Sequence, residues 1–133
     1  MMTVISDVFI LDVSDNEDLE YRDTKYCVCV SVLNNKCLLI NSKNSGIYDE
    51  LEIDSSDYDP QGGVRFVACK NIFEFSESEI IRKLGSLNYA NMKKILDMLK
   101  AKNRKQLADI ITELDEWISG YSQNKLLDAY KNR

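Results

Sequence analysis

The chain predicts an α+β domain, mainly β in its N-terminal half: a small β-barrel of five to six strands followed by three helices. Three observations carry this. Up to about residue 75 the apolar residues come in short β-branched and aromatic runs broken by polar turns, with no helical period between them. From Ser76 onward the period changes to that of helices. The 133 residues, 44% apolar and 29% charged, suffice for one domain with a real core, so residues 1–75 read as the barrel part and 76–133 as the helical part of a single domain.

Val4 to Val13 forms the first strand, buried on both faces where Val8-Phe9-Ile10-Leu11 runs without a polar break. The acidic stretch from Ser14 to Asp23 has no period and reads as a loop. Lys25 to Leu33 and Lys36 to Asn41 are two strands joined at Asn34-Asn35, since asparagine tolerates the positive φ of a tight hairpin turn. After a turn at Ser42 to Gly46, Ile47 to Ile53 is a short strand with Ile47, Leu51 and Ile53 facing inward. Asp54 to Gly63 is a polar loop, and Phe66 to Phe75 reads as a strand pair.

Ser76 and Glu79 have the spacing of a capping box, Ile80, Ile81 and Leu84 supply an apolar face, and Gly85 can end a helix in the left-handed conformation, so a short helix is expected there. Asn88 caps a second helix, in which Met92, Ile95, Leu96 and Leu99 make one stripe. Asn103 and Gln106 form another capping box, ahead of Leu107, Ile110, Ile111, Leu114, Trp117 and Ile118 at helical spacing. Gly120 is expected to close that helix, with Leu126, Leu127 and Tyr130 in a last short one.

Composition narrows the chemistry. Without a single histidine, histidine acid–base catalysis is excluded, and a zinc site would need all four thiols, Cys27, Cys29, Cys37 and Cys69. Each sits in an apolar, strand-like context, and Cys27-x-Cys29 has neither redox-turn nor zinc-knuckle spacing, so the four are expected to be reduced, buried and structural, with no metal and no cofactor. No apolar run is long enough to span a membrane, and the N-terminus has neither a basic start nor a small-residue cleavage site, so a cytoplasmic protein is expected. Residues 1–60 carry 13 acidic and 4 basic side chains and residues 61–133 carry 9 and 13. Such a split describes either two differently charged solvated faces or a surface that chooses its partners. Lys93, Lys94, Lys100, Lys102, Arg104 and Lys105 make the basic helical surface.

A hairpin ending in Ile40-Asn41-Ser42-Lys43, then Arg65-Phe66-Val67-Ala68-Cys69, Gly85-Ser86-Leu87 and a helix with Lys94-Ile95 to Leu99 together resemble the MazF/PemK family of toxin endoribonucleases over about residues 4–99. The resemblance implies an SH3-like barrel, a homodimer, an antitoxin partner and metal-independent cleavage of single-stranded RNA. It places Lys25-Tyr26, with Arg22 nearby, where the family has an arginine-proline pair that acts on the scissile phosphate. Asn41-Ser42-Lys43 stands where the family has a catalytic threonine or serine followed by serine and lysine, and Arg65 where it has a further serine. The implied catalytic set is Lys25, Ser42 and Arg65, and the implied RNA-binding set is Arg22, Asn41 and Lys43. Cleavage without metal requires a base for the 2′-hydroxyl, a fixed cation for the phosphorane and an acid for the leaving oxygen. Arginine fills the second role with a planar fork that lysine lacks. A second expectation belongs to another class: a non-catalytic relative, such as a phage or mobile-element inhibitor, that presents its acidic barrel face to a basic protein.

Overall fold

A computed structural model describes residues 3–13, 24–102 and 104–131, of which 121–131 are described as helical backbone only. The chain is α+β. Six antiparallel strands, β1 (Asp7–Asp12), β2 (Thr24–Ser31), β3 (Lys36–Asn41), β4 (Glu50–Asp54), β5 (Val64–Glu74) and β6 (Ile80–Ser86), form one sheet in the order β4-β5-β3-β2-β1-β6. Two helices follow, α1 (Tyr89–Lys102) and α2 (Ala108–Lys131). The sheet is not closed, because β4 and β6 are its edges and do not pair.

Both faces of the central strands are buried. Val8, Val28, Val30, Leu38, Ile40, Ile53, Val67 and Cys69 form one core with the apolar stripes of α1 and α2. The alternate residues, Phe9, Leu11, Cys27, Cys29, Cys37, Leu39 and Ala68, form a second core against Phe75, whose ring lies 5.0 Å from that of Phe9. The unbroken apolar run in β1 follows from serving both. All four thiols are free and buried, but Cys69 belongs to the helix-side core and the other three to the opposite one, so the four do not converge.

The expected short helix at 76–84 is not formed. A single 3-10 turn at Glu77–Glu79 retains the capping logic, the Ser76 amide donating to Glu79 Oε1 at 2.8 Å, and the chain then continues as β6. Ile80 and Leu84, which would share a face in a helix, are sent to opposite cores by register shifts along the β1–β6 pair, Ile80 to the cysteine-rich core and Leu84 to the helix-side one. Two β-branched residues and an unpaired edge of β1 decide for the strand. Lys83 of β6 pairs at 2.9 Å with Asp7, whose side chain is 1% exposed and also accepts from the Val4 amide at 2.8 Å.

Phe66 to Phe75 is one strand, not two. Leu39 faces Ala68 while Cys37 faces Phe73, so two steps along β3 match five along β5 and the excess bulges out between Cys69 and Ile72. The amides of Cys69 and Lys70 donate instead to the carbonyls of Asp49 and Tyr48. Ile47, expected inside, precedes β4 and is 59% exposed. The β2–β3 turn is also longer than expected: Ser31 faces Lys36, leaving Val32 to Asn35 as the turn, with Asn35 at φ 50°. Glu113 of α2 explains this. Its carboxylate accepts from Ser31 Oγ at 2.6 Å and from the Val32 and Leu33 amides at 2.8 and 3.3 Å, so these groups bond to a helix instead of extending the ladder.

Asn88 caps α1 as expected, its Oδ1 accepting from the Asn91 amide at 2.8 Å, and Met92, Ile95, Leu96 and Leu99 are buried. Asn103 of the second expected box lies outside the described residues, and a 3-10 turn at Lys105–Leu107 leads into α2. Gly120 does not end a helix, and α2 passes through it to Lys131, so there are two α-helices after the sheet where three were expected. Neither is long and apolar enough to cross a membrane.

Candidate functional site

The strands of an antiparallel sheet bring sequence-distant termini together, and the resemblance-derived residues meet at one end in this way. Tyr26 faces Ile40, so the β2–β3 register continued by one residue sets Lys25 opposite Asn41. Period-two alternation puts both on the face of the cysteine-rich core: Lys25 faces Leu11 of that core, and Asn41 follows Leu39 by two. Both are half-buried, whereas Ser42 and Lys43, just beyond the end of β3, are exposed. Lys25, Asn41 and Ser42 therefore lie on adjacent chain segments at this end of the sheet.

Arg65 does not share the face of Lys25 and Asn41, although Asn41 faces Phe66 and the β3–β5 register continued by one residue sets Arg65 opposite Ser42. It faces Ile53, a member of the helix-side core, and therefore lies on the other face of the sheet. Its guanidinium donates to the Val64 carbonyl at 2.8 Å and stands 3.8 Å from Asp59. Tyr58 lies near it. The Tyr58 hydroxyl is buried without a hydrogen-bond partner among the described residues, and burial raises its pKa, an effect opposed by the nearby Arg65 charge. Arg22 lies outside the described residues.

The loop that holds Tyr58 also ties the two sheet edges together. A Cβ on Gly85 of β6 would lie 3.1 Å from the Asp57 carbonyl oxygen and 3.2 Å from Tyr58 Cα, so the β4–β5 turn packs directly on β6. Asp57 Oδ2 accepts from the Asn88 amide at 3.0 Å in the same contact, fixing this turn to the start of α1.

At the other end of β3 the β5 bulge and the α1–α2 junction enclose a cleft of about 520 Å³. Sequence reading missed it because its walls come from three separated segments. The one available signal was Asn71, a residue disfavoured inside strands, in the middle of an apparent strand. The basic helical surface expected from the sequence is partly neutralised: Lys100 stands 3.5 Å from Asp115, and Lys102 and Arg104 stand 2.9 and 3.6 Å from Asp49. The Lys102 hydrogen bond is the main reason the Asp49 carboxyl is held below its ordinary value.

No family model matches this chain, and no curated protein matches it.

Proposed function

We propose that this protein is a toxin-like, metal-independent endoribonuclease of the MazF/PemK kind acting on single-stranded RNA, with Lys25, Asn41 and Ser42 rather than Arg65 at the scissile phosphate. One observation supports the reading: Lys25 and Asn41 share a face on neighbouring strands, with Ser42 and Lys43 immediately beyond. Lys25 supplies the cation that offsets developing phosphorane charge, Asn41 and Ser42 donate hydrogen bonds to its oxygens, and solvent water takes the 2′-hydroxyl proton and returns one to the leaving 5′-oxygen. A point charge replaces the planar fork of arginine, so turnover slower than that of an arginine-bearing relative is expected. The SH3-like barrel belongs to the same proposal, supported by the contact of the β4–β5 turn with β6, as do a homodimer and an antitoxin that covers this end of the sheet.

The test is incubation of the purified chain with structured and unstructured RNA in chelator. Cuts at a short sequence in the unstructured RNA, abolished by Lys25→Ala and retained by Arg65→Ala, are expected. No cleavage together with no growth arrest on expression overturns the proposal.

A non-catalytic protein-binding module is the second reading. It is favoured by edge strand β4, where Glu52 and Asp54 are exposed and Asp57 and Asp59 follow, beside exposed Ile47, Tyr48 and Val64. A chain inert towards RNA, whose complex with a basic protein is broken by Glu52→Lys, is what that reading expects.

A further inference from the structure

We infer that the cleft between the β5 bulge and the α1–α2 junction binds a small organic phosphate with an aromatic group, of the size and chemistry of a nucleoside monophosphate. The site lies apart from the one proposed above. Lys36 opens β3 and Asn41 ends it, so the two are separated by about 17 Å of strand.

Each wall supplies a different kind of contact. Lys36, Lys70 and Arg104 bring three cations to the cleft. Two of them are held by carboxylates: Lys36 stands 3.4 Å from Glu74, which is 74% exposed, and Arg104 stands 3.6 Å from Asp49. The Lys36–Glu74 pair, exposed at its carboxylate, is weak and yields to a stronger anion, whereas Asp49 is also held by Lys102 and keeps Arg104 in place. Lys70 has no carboxylate within ion-pair distance among the described residues, and its carbonyl accepts from Arg104 Nη1 at 2.9 Å, which anchors the guanidinium at the rim. Ile72, Leu107 and Ile110, which pack in the helix-side core, form the apolar floor, while Phe73, opposite Cys37, packs against the other core. Asn71 and Gln106, both exposed, each offer an amide donor and acceptor.

A phosphate dianion suits a lining with three cations better than a single carboxylate does, and a planar ring suits the apolar surface of Ile72, Leu107 and Ile110 beside two amides. The volume lies in the range of small-molecule sites. An extended acidic peptide would spread its carboxylates beyond this compact cation set.

The experiment titrates AMP, GMP, CMP and UMP into the full chain while backbone amide NMR shifts are followed, with adenosine, inorganic phosphate and a polyglutamate peptide as comparisons. At least one nucleotide is expected to give saturable shifts centred on residues 70–73 and 104–107. Binding should weaken at least about tenfold in Lys70→Glu, an exposed substitution that leaves the fold intact, and be at least about tenfold tighter than binding of adenosine or inorganic phosphate. Lys25→Ala should leave it unchanged, which keeps this result separate from RNA cleavage. Absence of saturable shifts in the cleft, inorganic phosphate binding as tightly as the best nucleotide, or preference for the peptide overturns the inference.

Discussion

Glu113 joins α2 to the sheet. Its two oxygens take three donors from the β2–β3 turn, groups that would otherwise need water or a continued ladder. Glu113→Ala should therefore lower unfolding free energy by about 1–2 kcal/mol, read from urea denaturation, with unchanged secondary structure. A loss no greater than that from replacing exposed Glu116 would show that the turn holds itself. Asp49 permits a prediction with a sign. Its carboxyl is held below the ordinary 3.8, first by the Lys102 hydrogen bond and then by surrounding charge, Arg104 included. A depressed folded-state value gives stability that is present above the unfolded value and is lost as pH falls through the folded one. Urea midpoints measured from about pH 5 down to about pH 2 should thus fall less steeply in Asp49→Asn than in the parent chain. Identical slopes would remove Asp49 from the acid limb.

Two glycines show at the level of elements how one residue type acts in opposite ways. Gly85 reads from sequence as a helix terminus, but its function is close approach: the β4–β5 turn occupies the space a side chain would need. Gly85→Ala should cost about 1–3 kcal/mol, because the neighbours are backbone atoms that cannot rotate away. Gly120 reads as a helix end and instead sits inside α2 with open space around it. Gly120→Ala should stabilise by about 0.5–1 kcal/mol, since it removes unfolded-state freedom and improves helix propensity. Thermal denaturation of both variants checks the pair, and shifts of the same sign would contradict this account. The longer elements were legible for a physical reason. β2, β3 and α1 have periods repeated over enough residues to be unambiguous, and the Asn88 cap is local chemistry that needs no tertiary partner. β6 was not, because register shifts break its period, sending Ile80 and Leu84 to different cores, and its hydrogen-bond partner, β1, lies about 70 residues earlier in the chain.

At the scale of the whole molecule the sheet is a shared wall between two cores, and the thiols report on both. Burial pushes the Cys29 and Cys69 thiols up to about 12, and Cys37 is raised further, chiefly by its hydrogen bond with Cys27 and then by burial. Because the thiolate is the reactive species, iodoacetamide at about pH 8 should leave these three unlabelled in the native protein. Labelling on the two sides of the sheet should begin together as urea unfolds it. Labelling of Cys29 and Cys37 ahead of Cys69 would mean that the cores open separately. The candidate site follows the same division. The resemblance groups Lys25, Ser42 and Arg65, but whether Arg65 shares the face of Lys25 depends on which face of β5 it occupies, and register is a property of pairing rather than of any single strand.

The sequence by itself determined the α+β class, the order of most elements, the burial of the four cysteines and the stripe and cap of α1, because each follows from local periodicity and composition. Only the tertiary structure decided that the segment after Ser76 is an edge strand, that β5 carries a bulge, that α2 continues through Gly120 and that Arg65 is parted from Lys25. Those outcomes turn on backbone partners, steric neighbours and register across distant segments, which no local pattern encodes.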